Sequence, residues 1–321
     1  MLFRVKTKIR NIMNHNSFLK KNYELANLIK IEVTKNISDD LFSKLIFKSN
    51  TGKNLNLENP TTFNEKIWWL KLNNRDPLLT FCSDKYKVRD YIKRCGLENI
   101  LNDFYGYYDK AEDINFHDLP EKAFIKTNHG SYGGQVWDNK NPFDRKKFIE
   151  KFNKLLRKNY YWQSREWNYK NIEPKIIAEK LLVTDDDRGL VDYKFLCFDG
   201  EVKLLWVELD ILKSDGTKNH SPKRNFYDKK FNFMDIQMGG PNFDRSLSTK
   251  PDNFEKMVEY AEIISKPFPH CRVDFYNIEG DIIFGEMTFY HAGGLDEIKP
   301  CKYNQIMGDW IDIESDKIVT E

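Results

Sequence analysis

The stretch HCRVDFYNIEGDIIFGEMTFY, residues 270–290, sets the architecture of this 321-residue chain. Two runs of alternating side chains, HCRVDFY and DIIFGEMTF, flank the turn residues Asn277 to Gly280, a pattern that predicts an antiparallel hairpin. With the turn centred on Glu279, pairing sets Arg272 opposite Glu286 and Asp274 opposite Phe284. The side-chain period of two then gives a core face of Val273, Phe275, Ile283, Met287 and Phe289. The opposite face carries Arg272, Asp274, Phe284, Glu286 and Thr288. Two carboxylates and a hydroxyl on rigid strands supply the hard oxygen ligands that Mg²⁺ prefers, and Arg272 beside them can neutralise a phosphoryl group. The competing reading is a solvated sheet in which Arg272 simply pairs with Glu286.

Working outward, VDYKFLCF and EVKLLWVEL flank Asp199-Gly200 and predict a second hairpin over residues 191–209. Lys194 stands mid-strand there among aromatics, where a lysine needs an anionic partner such as a phosphate. Residues 210–250 are rich in Lys, Asn, Asp, Gly and Pro and read as a long mobile connection. Further upstream, AFIKTNHGSYGGQVW places a β run ending at Lys126 before Gly130, Gly133 and Gly134. Glycines let backbone N–H groups close over phosphates, although no GK[ST] follows and a P-loop is excluded. Glu179, after Ile176-Ile177-Ala178, suits a ribose or an adenine amine. The helix FDRKKFIEKFNKLLRK repeats Phe148, Phe152 and Leu155 at helical spacing.

Before about residue 115 the pattern is helical. Thr62 and Glu65 form a capping box opening TFNEKIWWLKL, and Ser83 is the expected N-cap of DKYKVRDYIKRCG, which stops at Gly96. The chain therefore divides into a basic helical segment 1–55, a helical lobe 56–121, a small α+β lobe 122–184 and a C-terminal α+β lobe 185–321. Residues 1–30 hold seven Lys or Arg against the single acid Glu24, interleaved with apolar side chains. That composition suits an amphipathic helix, with peripheral contact at the inner membrane surface as its functional form.

Globally, 51 basic residues nearly cancel 49 acidic ones, so no field announces nucleic acid. Five scattered cysteines without a CxxC pair exclude a disulfide framework and a zinc site. They point to a reducing cytoplasm. No long apolar run is present, so neither export nor membrane spanning is expected.

The order of lysine and glycine loop, glutamate-ended strand, strand lysine, RxD and ExT resembles the ATP-grasp superfamily. More closely, PTTFNEKIWWLKLNNRDP, DKYKVRDYI, FIKTNHGSYGG, NYYWQSREWNYKNIEPKIIAEKLL, DYKFLCFDGEVKLL and RVDFYNIEGDIIFGEMTFY are similar to the TupA-like ATP-grasp family of polysaccharide biosynthesis, over about residues 55–312. The resemblance implies two α+β lobes clasping ATP and amide formation through an acyl-phosphate. By position it implies phosphate contacts from Lys126 and Lys194, and a lid loop running from His129 through Gly130, Ser131 and Gly133 to Gly134. Glu179, Lys180 and Leu181 would line the adenine and ribose. Asp274 and Glu286 would hold Mg²⁺, with Thr288 where the superfamily usually has asparagine, and Arg272 would stabilise the transferred phosphoryl. The backbone of HAGG, residues 291–294, is the expected oxyanion donor.

The substrates so implied are a uronic-acid-containing sugar of a capsule, O-antigen or teichuronic-type polymer and an amino acid. Two other classes compete. A glycosyltransferase needs a DxD loop, for which Asp185-Asp186-Asp187 is the nearest candidate. A non-catalytic sugar-binding protein would use Trp68, Trp69, Trp162 and Trp167 as platforms.

Overall fold

The computed structural model describes residues 31–130, 133–141, 143–184, 189–209 and 223–320. The basic segment 1–30, Ser131 and Asp185 to Asp187 lie outside the described residues. Four helices come first: α1 (Asp39–Thr51), α2 (Phe63–Asn73), α3 (Pro77–Ser83) and α4 (Val88–Arg94). The capping box of α2 is present, with the Thr62 N–H donating to Glu65 at 3.1 Å. Ser83 departs from expectation. It closes α3, donating to the Leu79 carbonyl at 2.7 Å, while the Asp84 carboxylate accepts from the Tyr86 N–H at 2.9 Å in the turn ahead of α4, whose N-cap, Lys87, makes no side-chain capping bond. A two-atom carboxylate reaches the following turn better than a hydroxyl already used by its own helix. Gly96, at φ +77°, stops α4 as its sequence position suggests.

The small lobe is an antiparallel sheet of β1 (Phe104–Tyr108), β2 (Lys122–Thr127), β3 (Gln135–Asp138) and β4 (Ile176–Lys180), in the order β1-β4-β2-β3. Helix α5 (Arg145–Leu156) lays Phe148, Phe152 and Leu155 against Ile125, Ile176 and Ala178. The edge strand β1 corrects the helical reading of that region. FYGYY shows no alternation, because its aromatics sit half-buried at an edge rather than on one core face. One helical turn, α6 (Tyr161–Ser164), leads toward β4.

The large sheet is built from β5 (Asp192–Phe198), β6 (Glu201–Leu209), β7 (Lys223–Asp228), β8 (Phe233–Met234), β10 (His270–Ile278) and β11 (Asp281–Thr288). Its order is β11-β10-β5-β6-β7-β8, antiparallel throughout. Helix α7 (Phe254–Ser265) covers one face through Phe254, Met257, Ala261 and Ile264. A small ribbon of β9 (Gln237–Met238) with β12 (Ile298–Lys299) and the helix α8 (Lys302–Asp309) complete the chain. The segment read as a mobile connection therefore contains β7, whose Phe226 and Tyr227 are buried in the common core. Its polar composition hid a strand, KRNFYD, in which the charges stand at the ends and Asn225, Phe226 and Tyr227 are buried in succession.

The hairpin register differs from the sequence expectation in a way that matters for function. The turn has two residues, Glu279 and Gly280 (φ +53° and +92°), so Ile278 pairs with Asp281. A bulge at Gly285 then shifts the ladder, and Asp274 faces Glu286 while Arg272 faces Thr288. The two-residue turn itself puts Phe284 on the core face, edge-on to Phe275 at 6.4 Å, and Ile283 beside Tyr276.

Helices α2–α4 share one core with the large sheet, so the helical lobe is not a separate unit: Phe63 packs on His270 at 5.3 Å and on Phe198 at 6.2 Å. Helix α8 closes over the start of α2, where a Cβ on buried Gly308 would lie 2.8 Å from the Phe63 nitrogen. Backbone cannot yield there as a side-chain tip can. Gly308→Ala is therefore expected to cost about 1–3 kcal/mol of stability in urea melts, through overpacking. Unchanged stability would show that α8 is not seated on α2 as described.

Candidate active site

Cross-strand neighbours share a face, so the pairing of the large sheet lays out the site. Phe226, Trp206, Lys194, Asp274 and Glu286 form one row across β7, β6, β5, β10 and β11. Arg224, Glu208, Asp192, Tyr276 and Ile283 form the adjoining row. Arg272 lies on the far side of the first row, opposite Thr288.

Their charged members, with Asp296 and His291, close into a ring of ion pairs and hydrogen bonds. The Arg272 guanidinium grips Asp274 through both oxygens, Nε to Oδ1 and Nη2 to Oδ2, each at 2.6 Å. Lys194 donates to the same Asp274 at 2.7 Å, pairs with Asp192, and lies 3.9 Å from Glu208. Arg224 links Glu208 (3.3 Å) to Asp296 (3.8 Å), His291 lies 3.3 Å from Asp296, and Arg272 Nη1 returns to His291 Nδ1 at 2.9 Å. Glu286 joins from the edge, 3.3 Å from Arg272 and 3.2 Å from Lys85.

Burial and the neighbouring charges together set the protonation of this ring. Burial opposes the charged forms of Arg272 and Lys194, but the adjacent carboxylates outweigh it and hold both pKa values above their ordinary range. His291 is lowered by burial against a partial pull from Asp296, so it is neutral near pH 7 and its Nδ1 accepts from Arg272. Asp192 bears the cost of crowding. Burial, with Asp274 and Glu208 nearby, pushes its carboxyl up to about 7 despite Lys194.

The loop after β11 continues the site. Ala292, Gly293 and Gly294 have φ of +47°, +63° and +71°. Two side chains of α2 hold their carbonyls: Lys71 donates to Gly293 at 2.9 Å and Trp68 Nε1 to Gly294 at 3.2 Å. Lys71 is wholly buried, which lowers its pKa to about 7 against the pull of Glu166. Trp68 is likewise in the core, so it is no sugar platform.

In the small lobe, Lys126 pairs with Glu179 at 2.6 Å across β2 and β4. The glycine turn is held close to its neighbours: a Cβ at Gly130 would meet Tyr160 at 2.6 Å, one at Gly133 would meet Leu155 at 2.6 Å, and one at Gly134 would strike Phe124. His129 faces inward, with Nε2 3.1 Å from the Lys158 carbonyl and Nδ1 3.3 Å from Asn128, so its ring nitrogens serve structure. Lys180 is exposed beside Asp103 at 3.3 Å, and Leu181 is half-buried.

The structure thus gathers Lys194, Arg272, Asp274, Glu286 and Thr288 on one sheet face, and Lys126 with Glu179 in the other lobe. Lys194 meets carboxylates where a phosphate was expected. Sequence reasoning missed Lys85, Asp192, Glu208, Arg224 and Asp296, and took HAGG for its backbone without the His291 ring. The available signal was charge inside strands that are otherwise apolar, as in DYKF and LLWVEL. Among the described residues, no group of three or more His, Cys, Asp or Glu side chains is arranged to hold a metal ion. A cation at the Asp274–Glu286–Thr288 oxygens would need further oxygen ligands from phosphate or water, which is how Mg²⁺ is ordinarily held. The donor chemistry fits.

A small antiparallel sheet with a glycine turn, beside a larger sheet bearing the RxD…ExT face, is the ATP-grasp arrangement. A family described as TupA-like ATPgrasp matches residues 65–312, and the chain belongs to that family. No curated protein matches it in sequence. Among solved structures, D-alanine–D-alanine ligase from Bacillus anthracis complexed with ATP is 14% identical, covering 73% of this chain and 65% of its own, with a TM-score of 0.40. D-cycloserine synthetase DcsG is 14% identical over 74% of this chain and 71% of its own, at 0.43. Biotin carboxylase from Campylobacter jejuni is 12% identical over 80% and 55%, at 0.43. These likenesses are distant, and the chain spans about two thirds or less of two of these proteins; membership rests on the family match.

The crowding of Asp192 has a measurable consequence. Its folded-state pKa lies above the unfolded value of 3.8, so the folded protein binds the extra proton between about pH 4 and 7. Stability from this group is fully present below that window and is lost as pH rises through it. Asp192→Asn should flatten that slope, so that its stability falls less than that of wild type between about pH 4 and 8 in urea melts. Parallel pH profiles for the two proteins would place the proton elsewhere.

Proposed function

We propose that this chain is an ATP-dependent carboxylate–amine ligase, releasing ADP and joining an amino acid to the carboxylate of a uronic acid in surface-polysaccharide assembly. The observation that carries the proposal is the opposition of Asp274 and Glu286 on adjacent strands with the Arg272 fork seated on Asp274. Family membership supports ATP as the phosphoryl donor, and the polysaccharide substrate rests on the family resemblance alone.

Mg²⁺, when bound by Asp274, Glu286 and Thr288, supplies charge neutralisation and orientation of the nucleotide phosphates. The chain's own residues do the rest. Arg272, kept in one rotamer by Asp274 and His291, presents its guanidinium to the phosphoryl being transferred. Lys126, the last charged side chain before the glycine turn, neutralises phosphate from the small lobe, with Glu179 beside it for the ribose or adenine. The carboxylate oxygen of the acid substrate attacks the γ-phosphorus, ADP leaves, and the amine displaces phosphate from the acyl-phosphate. The left-handed loop 291–294, its carbonyls held by Lys71 and Trp68, is suited to aim N–H groups at the oxyanion of that second step. No side-chain nucleophile is needed.

The two carboxylates differ as test sites. Asp274 is buried between two cations, so Asp274→Asn should cost activity and also about 3–5 kcal/mol of stability. Glu286 is partly exposed, so Glu286→Gln should remain folded while turnover falls by roughly 10²–10³-fold. Purified protein supplied with ATP, Mg²⁺, a panel of uronic acids and amino acids is expected to release ADP only when both substrates are present. A fully active Glu286→Gln protein, or nucleotide-sugar turnover without ATP, contradicts the proposal.

A further inference from the structure

Lys85 belongs to DKYKVRDYI, a stretch to which the family resemblance assigns no chemistry. Its loop is firmly built. Buried Asp84 accepts from the N–H groups of Tyr86 and Lys87 at 2.9 and 3.3 Å, and Ser83 Oγ accepts from Asn168 at 2.6 Å. The Lys85 N–H donates to the Asn128 carbonyl at 3.0 Å, at the end of β2 just before the glycine turn. Its side chain is only 14% exposed, and Nζ stands 3.2 Å from Glu286 Oε2. One residue thus has its backbone tied to the strand that leads into the phosphate-covering loop, and its ammonium on the more exposed carboxylate of the metal hairpin.

Stability does not explain this placement. A partly exposed ion pair contributes little, and ordering a lysine side chain costs entropy. Arg272 also lies 3.3 Å from Glu286, so the carboxylate has a cation beside it without Lys85. We propose that Lys85 is a further catalytic residue. Its ammonium pairs with Glu286, yields that carboxylate to the divalent cation when the metal binds, and then contacts the γ-phosphoryl group during transfer. In that step the substrate carboxylate oxygen forms its bond to the γ-phosphorus, the bond from γ-phosphorus to the β,γ-bridging oxygen breaks, and ADP departs with the electron pair. No proton moves. The ammonium compensates charge on the phosphoryl oxygens, as a fixed cation does in phosphoryl transfer. The inference rests on Asp274 and Glu286 being the metal pair.

The test compares wild type, Lys85→Met, Lys85→Arg and Glu286→Gln as full-length chains. Mn²⁺ is titrated into nucleotide-free protein with free Mn²⁺ read by electron paramagnetic resonance, beside ADP release. Removing a competing cation should make Lys85→Met bind Mn²⁺ up to about fivefold more tightly. Its kcat should fall roughly a hundredfold with KM for ATP moving much less. Lys85→Arg keeps the charge and should recover part of the turnover. A merely structural lysine would not tighten metal binding when removed. Should Lys85→Met prove unstable, Lys85→Gln carries the same comparison. If Glu286→Gln weakens Mn²⁺ binding but Lys85→Met leaves it unchanged or weaker, or turnover is unaffected, this inference alone is overturned. If Glu286→Gln binds Mn²⁺ as wild type does, the metal pair itself is wrong and the inference falls with it.

Discussion

The bidentate contact between Arg272 and Asp274 is the constraint around which the rest of the large lobe is arranged. Both groups are buried on β10, two residues apart, and neither charge is tolerable there without the other. The surrounding members follow from that pair. Lys194 on β5 balances Asp274, Asp192 and Glu208 balance Lys194, and Arg224, Asp296 and His291 lead back to Arg272. Such a ring is a poor way to gain stability, because desolvating each charge offsets most of the attraction. It is an effective way to hold a guanidinium and a carboxylate in fixed positions, which a phosphoryl-transfer site requires.

Much of this was legible in the sequence. The two hairpins, the helix at 145–156, the strands around the glycine turn and the capping box of α2 all follow from local periodicity and turn chemistry. Arg272, Asp274, Glu286 and Thr288 do share one face as expected, but alternation alone does not put them there: with the two-residue turn an unbroken ladder would set Glu286 against Val273, and the bulge at Gly285 brings it to Asp274. The detailed register was not legible. The two-residue turn puts Phe284 rather than Ile283 on the core face, the bulge at Gly285 then returns Glu286 to Asp274, and nothing in a single sequence separates a bulge glycine from a strand glycine.

What stayed hidden depends on contacts distant in sequence. Lys85 reaches Glu286 over 201 residues, and Lys71 reaches the Gly293 carbonyl over 222. Neither carries a local signature of function, because each reads as a solvated charge on a helix or its flanking loop. The common core of α2–α4 with the large sheet explains how they arrive there: residues expected to form a separate helical lobe instead wall the site.

The central claim is that a carboxylate is activated by transfer of phosphate on the face bearing Arg272, Asp274 and Glu286. Isotope transfer tests it most directly. With a uronic acid labelled with ¹⁸O in its carboxylate, ATP, Mg²⁺ and the amino acid, the account requires that one ¹⁸O atom appear in the inorganic phosphate released for each amide formed. Amide formation with unlabelled phosphate, or with the label in AMP and pyrophosphate as the other product, would contradict it.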